Sequence, residues 1–233
     1  HSFHFFEYPY PRSRLINRIK WKLRKNGLQS SQLIENFDPN YNLQNLKPNR
    51  SYELKGFHFS SGDLVLKHRA KICEILRFRE SEIIPADNLV KDARKNYKVI
   101  LGVHIRQNDY KTFYNGKYFV SSDQYVTLIN HFKSLIPNGE SVGIVICSDD
   151  VKLLIKMQKE YPDYIYPRGN VAQDMSILSK CDYIMGPKAT TMSAWTAFIA
   201  NASFLQVSRE SENFDLCHFK KISRLESFNP FLN

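Results

Sequence analysis

A chain of 233 residues, 42% of them hydrophobic and 24% charged, has the composition of a folded globular protein. Disorder, collagen and a disulfide miniprotein are excluded, and the length suits one large domain or two small lobes. A formal charge of +10 asks for an anionic partner and leaves nucleic acid, anionic lipid and a phosphorylated ligand to be separated by motif.

In chain order, the first feature is a basic block of Arg12, Arg14, Arg18, Lys20, Lys22, Arg24 and Lys25, interleaved with Leu15, Ile16, Ile19 and Leu23. The spacing predicts an amphipathic helix, which would lie on an anionic membrane surface or be an ordinary solvated helix with snorkelling side chains. No run reaches the roughly 18 apolar residues of a membrane span, and the first residues lack the apolar core of a secretory signal. A Pro- and Asn-rich connection follows over 38–50, then a strand near Tyr52 to Phe59 and a helix near Ser61 to Phe78. A lobe boundary is expected near Asp92 to Lys98, which gives a first lobe over 1–95 and a second over 96–233.

The second half is more regular. Val99 to Ile105 is an almost continuous β-branched run of strand length, as a parallel strand buried on both faces requires. Ser121 with Gln124 predicts a capping box, ahead of a helix with Tyr125, Leu128, Ile129, Phe132 and Leu135 on one face. Pro137-Asn138-Gly139 ends that helix, and Val142 to Ile146 supplies the next strand. A helix over Val151 to Tyr161, a strand at Tyr164 to Tyr166, a helix from Asp174 to Cys181, a strand at Tyr183 to Met185, a helix from Ser193 to Ala200 and a strand at Phe204 to Val207 complete the alternation. Such repetition predicts a doubly wound parallel sheet, with ligands gathering beyond the carboxyl ends of the strands.

Polar residues sit at those ends. His104, Arg106 and Asp109 close one strand, Ser148, Asp149 and Asp150 another, and Lys188, Thr190, Thr191 and Ser193 follow a third. Arg106 offers a planar fork that clamps a diphosphate, and Thr190, Thr191 and Ser193 at a helix N-terminus form a second phosphate or ribose contact. Together they suit a nucleotide-sugar diphosphate leaving group.

The chain has no Asp-x-Asp pair for a divalent ion, and adjacent Asp149 and Asp150 would point apart on a strand, so a metal-free site is expected. A G-x-G-x-x-G run and a P-loop are absent, as are zinc-finger spacing, an RNP box and an evident helix-turn-helix, which argues against nucleic acid. Cys73, Cys147, Cys181 and Cys217 form no C-x-x-C pair and read as reduced thiols, mostly core residues.

Gly102-Val103-His104-Ile105-Arg106-Gln107-Asn108-Asp109-Tyr110 resembles the His-x-Arg-Arg-x-Asp motif shared by α-1,2-, α-1,6- and protein O-fucosyltransferases. Ser148-Asp149-Asp150 looks like their second motif. Asp174 to Cys181, then Gly186-Pro187 and Thr191-Met192-Ser193-Ala194-Trp195, is similar to their third. The resemblance covers about 99–207, with a fainter echo at Gly56-Phe57-His58-Phe59, and is strongest to the bacterial α-1,2-fucosyltransferases of glycosyltransferase family 11.

That resemblance implies an α/β, GT-B-like fold of two Rossmann-like lobes, the first truncated or reduced because the Gly-x-Gly-Asn segment that usually opens it is missing. It implies an inverting transfer of L-fucose from GDP-fucose to a hydroxyl of a glycan acceptor, with neither metal nor cofactor. Arg106 would meet the β-phosphate, His104 the nucleotide, Asp174 the guanine edge, and Ser193 or Thr191 a phosphate. Asp109, Asp149 and Asp150 would order the donor loops, and Glu53, His58 and Asp109 are candidate bases. Gln107 stands where the motif has a second arginine, and Lys188 would replace the lost charge.

The branch resembled suggests surface-polysaccharide or lipopolysaccharide synthesis on the inner face of a bacterial cytoplasmic membrane, with lipid contact through Arg12 to Lys25. Another nucleotide-sugar donor, a non-catalytic nucleotide- or glycan-binding relic and a basic adaptor stay open as alternatives.

Overall fold

The computed structural model describes residues 32–35, 52–55 and 66–222. The chain divides between Leu76 and Arg77 into two compact units. In the first, β1 (Gln32–Glu35) and β2 (Tyr52–Lys55) pair in parallel, Gln32 opposite Tyr52 and Glu35 opposite Lys55, and α1 spans Arg69–Ile75. β2 is the described part of the strand expected from Tyr52 onward, and α1 stops short of Phe78. The strand at Gln32 carries no signal that the sequence reading used. The basic block over 12–25, the connection over 38–50 and His58 lie outside the described residues.

The second unit holds α2 (Glu80–Ala93), β3 (Val99–Ile105), α3 (Ser122–Leu135), β4 (Val142–Ser148), α4 (Val151–Glu160), α5 (Val171–Leu178), β5 (Tyr183–Pro187), α6 (Thr191–Ala200) and β6 (Ser203–Val207). The four strands form one parallel sheet in the order β4-β3-β5-β6. Ile165 adds a single parallel bridge to Val145 outside β4 in place of the expected strand over 164–166. The chain thus moves outward from β3 and then returns to its other side. This is the doubly wound Rossmann order, with its switch point between β3 and β5.

Strand periodicity sorts the core into two faces. Leu101, Val103, Ile105, Ile144 and Ile146 meet Tyr125, Leu128, Ile129 and Phe132 of α3 and Met157 of α4. Ile100, Val145 and Cys147 meet Ala86, Val90 and Ala93 of α2 and Ile177 and Leu178 of α5. Each fully buried aliphatic side chain is worth about 1.5–3 kcal/mol, so a β-branched run buried on both faces is what holds β3 at the centre. Gly102 lets α5 close on the sheet, since a Cβ there would lie 2.7 Å from Leu178 Cδ2 and 2.9 Å from Cys181 Sγ.

α2 lies in the same compact unit as the sheet and packs on it through Ala86, Val90 and Ala93. Three expectations shift. α5 begins at Val171 rather than Asp174, because Asn170 and Gln173 form a reciprocal capping box, and α6 begins at Thr191. Ser121 does cap α3, but the Gln124 amide turns away to the carbonyls of Ser208 and Arg209, so no box forms. No helix among the described residues is long and apolar enough to cross a membrane.

Candidate functional site

The loop leaving β3 at the switch point is organised around Arg106. Its Nε donates to Asp109 Oδ1 at 2.8 Å and its Nη2 to Asp109 Oδ2 at 3.0 Å, a two-pronged ion pair. Asp149 Oδ2, at the end of β4, stands 3.5 Å from the same Nε, and the guanidinium carbon lies 5.9 Å from the Tyr110 ring centre. The hydrogen bond from Arg106 holds the Asp109 carboxyl below its usual range, and the same bond raises Arg106. One cation therefore faces two carboxylates, of which Asp109 is the more open, its side chain being 55% exposed.

Asp149 also accepts the Gln107 N–H at 2.9 Å, and its carbonyl accepts Asn108 Nδ2 at 2.7 Å, which pins the Arg106 loop to the end of β4. The Gln107 side chain is buried and donates to the Val120 carbonyl at 2.9 Å. It is a structural strut, so replacing the motif's second arginine leaves an inward-facing amide rather than a gap in the crevice. Asp149 and Asp150 diverge as expected, with Asp150 accepting the Leu153 N–H at 3.1 Å as the cap of α4.

Beneath Arg106, His104 is 1% exposed and pairs in register with Cys147. Burial, helped by the Arg106 charge, pushes its pKa down to about 3, so the imidazole is neutral at ordinary pH. Asp174, on α5, shares a hydrogen bond with the Cys147 thiol, yet burial pushes its carboxyl up to about 7. His104 Nδ1 and Asp174 Oδ1 are both buried with no hydrogen-bond partner among the described residues. Leaving two such atoms unsatisfied costs roughly 1–3 kcal/mol each, a debt that a ligand with matching donors and acceptors removes.

At the end of β5, Lys188 is exposed and its N–H donates to the Val207 carbonyl at 2.9 Å. Ala189 has φ +62°, a left-handed strain placed between strand and helix. Thr190 is the N-cap of α6 but makes no side-chain cap; its hydroxyl instead shares a hydrogen bond with Tyr110, whose phenol burial drives up to about 12. The first N–H groups of α6 are left without a side-chain cap, as anion binding at a helix N-terminus requires. Thr191 is exposed there, whereas Ser193 is fully buried against Gly186, where an added Cβ would lie 2.8 Å from the serine Cβ. Ser193 Oγ has no hydrogen-bond partner among the described residues.

Arg106, Asp109, Asp149, Tyr110 and Thr190 thus form one connected set across the ends of β3, β4 and β5, with His104, Cys147 and Asp174 below it. The reading of motifs passed over Tyr110, which joins arginine to threonine, and Cys147, which holds Asp174. Strand alternation carried the signal for Cys147, since it shares the face of Val145 and Ile100.

Comparisons with known proteins agree with these motifs. No curated protein matches the sequence. The solved structures similar to it include NodZ α-1,6-fucosyltransferase soaked with GDP-fucose, at 18% identity and TM-score 0.43 over 63% of this chain and 48% of that one. They also include NodZ from Bradyrhizobium, at 16% and 0.44 over 58% and 47%, and POFUT1 in complex with GDP, at 13% and 0.41 over 59% and 50%. The chain spans about half the length of these proteins. The family model of glycosyl transferase family 11 matches residues 77–220, the whole sheet unit with its three strand-end motifs, and the chain belongs to that family.

Proposed function

We propose that the protein moves L-fucose from GDP-fucose to a hydroxyl of a glycan, with the sheet unit as its GDP-sugar side. The observation that carries this reading is Arg106, a guanidinium at the switch point of a Rossmann-order sheet, held by a carboxylate that an anion can replace. The diphosphate takes the Arg106 fork from Asp109 and lies toward the uncapped N-terminus of α6 and Thr191. Lys188 adds a cation at the exposed rim.

The guanine edge offers two adjacent N–H donors to Asp174, whose unsatisfied Oδ1 and depth suit that task. His104, being neutral, contributes a hydrogen bond and no charge.

Transfer is a direct displacement. The glycan oxygen bonds to the anomeric carbon, the bond from that carbon to the β-phosphate oxygen breaks, and its electron pair leaves on GDP, where Arg106 stabilises the growing charge. One displacement inverts the anomeric centre, and the hydroxyl proton passes to a base, for which Asp109, His58 and Glu53 are the candidates. Arg106 supplies the leaving-group stabilisation that a divalent ion supplies elsewhere, which supports a metal-free reaction. The α-1,2 linkage and a bacterial surface glycan made at the inner face of the cytoplasmic membrane extend the same reading.

The test is turnover of GDP-fucose with a panel of galactose-terminated acceptors in EDTA, with the product linkage read by NMR. Fucosylated product is expected, and Arg106→Ala should lower its rate by about 100- to 1,000-fold, the loss typical of removing a donor aimed at developing charge. Undiminished transfer by that variant would contradict the assignment.

A further inference from the structure

The segment after the Arg106 loop carries an aromatic cluster that starts at Tyr110 and extends beyond the donor site. Tyr110, Phe113, Tyr114 and Tyr118 form a four-ring cluster, with Tyr110 and Phe113 stacked at 5.7 Å, Phe113 and Tyr114 edge-to-face at 4.7 Å, and Tyr114 and Tyr118 edge-to-face at 6.0 Å. Tyr110 and Tyr118 are buried, whereas Tyr114 stays 50% exposed. The cluster begins at the ring beside Arg106 and leads outward to Tyr114.

The backbone makes that exposure costly. Tyr114, Asn115 and Gly116 are all left-handed, with φ of +47°, +55° and +71°. Asparagine and glycine tolerate this region, but a bulky aromatic residue does not, so the strain is concentrated at Tyr114. The conformation is over-determined by its surroundings. Lys117 N–H donates to the Tyr114 carbonyl at 3.1 Å, Asn115 N–H to the Thr112 carbonyl at 3.0 Å, and a Cβ at Gly116 would come within 3.0 Å of the Lys111 carbonyl. Arg209 braces the same segment through the Phe119 carbonyl at 2.8 Å. Strain held by so many contacts, in a segment linked to Arg106 through the Tyr110 and Phe113 rings, is the pattern of a pre-organised ligand contact.

We infer that Tyr114 is a stacking platform for a neutral pyranose of the acceptor glycan, holding it beside the sugar whose leaving group meets Arg106. A pyranose presents a face of C–H groups that packs on an aromatic ring, and its hydroxyls need donors and acceptors around the rim. Thr112, Asn115 and Lys117, all exposed and flanking Tyr114, supply them without adding a net negative charge. The identification of the pyranose as acceptor rests on the proposed fucosyl transfer, while the presence of a sugar contact does not.

Saturation-transfer NMR on the full chain, with and without GDP, tests it using lactose and methyl β-galactoside as probes. Wild type should transfer saturation to the ring protons of the sugars. Tyr114→Ala should abolish the transfer and Tyr114→Phe should keep it, with GDP affinity in both variants within about twofold of wild type. The twofold criterion also reports that the fold is intact. In turnover, Tyr114→Ala should raise the acceptor KM about tenfold or more with little change in kcat. No saturation transfer in wild type, or equal transfer in Tyr114→Ala, overturns the platform. A protein that binds the sugars through Tyr114 yet ignores GDP would sink the donor reading alone.

Discussion

Arg106 holds a charge that Asp109 and Asp149 already claim, so in the proposed transfer the diphosphate competes with these carboxylates for the guanidinium. Removing one competitor should therefore help the nucleotide. Asp109→Asn is expected to tighten GDP binding several-fold in calorimetry while slowing transfer, because the freed guanidinium loses its orienting partner. Weaker GDP binding would show that Asp109 supports the nucleotide rather than competing with it.

Asp174 gives a pH signature. Its folded pKa of about 7 lies above the ordinary 3.8, so the folded state binds more protons between those values. Stability from this group is full at acid pH and falls as pH rises from about 4 to about 7. Guanine needs the ionised form, so GDP affinity should rise about tenfold per pH unit below 7 and level off above it. Asp174→Asn should flatten both profiles and weaken GDP, as read by calorimetry and thermal melts from pH 5 to 8. Unchanged profiles would mean that the carboxyl is not the titrating contact.

Elements were legible wherever burial dominates. β3 and β4 follow from β-branched runs, and α3 follows from one apolar face and a serine cap, because both patterns are local consequences of which side is dry. Legibility failed where a single polar contact chooses the boundary. Asn170 starts α5 one turn earlier than its apolar residues suggest, and this places Asp174 in the first turn under Cys147. Asn170→Ala should cost about 1 kcal/mol, the usual worth of a helix cap, measurable as a lower urea midpoint. No loss would imply that α2 packing, not the cap, holds α5 in place.

Across the whole molecule, the parallel alternation and the gathering of polar residues at strand ends were readable from residue order alone, and so was the family. The partners inside the site were not. That Gln107 faces Val120, that Asp150 serves its own helix, and that Tyr110 joins Arg106 to Thr190 depend on loop paths that no periodicity encodes.

The most direct test of the central claim is calorimetric titration of the full chain with GDP, with UDP and CMP as controls, all in EDTA. Binding selective for GDP that disappears in Arg106→Ala and weakens in Asp174→Asn is the predicted result. Equal binding of the three nucleotides, or none of any, would contradict a GDP-sugar site at the β3–β5 switch point.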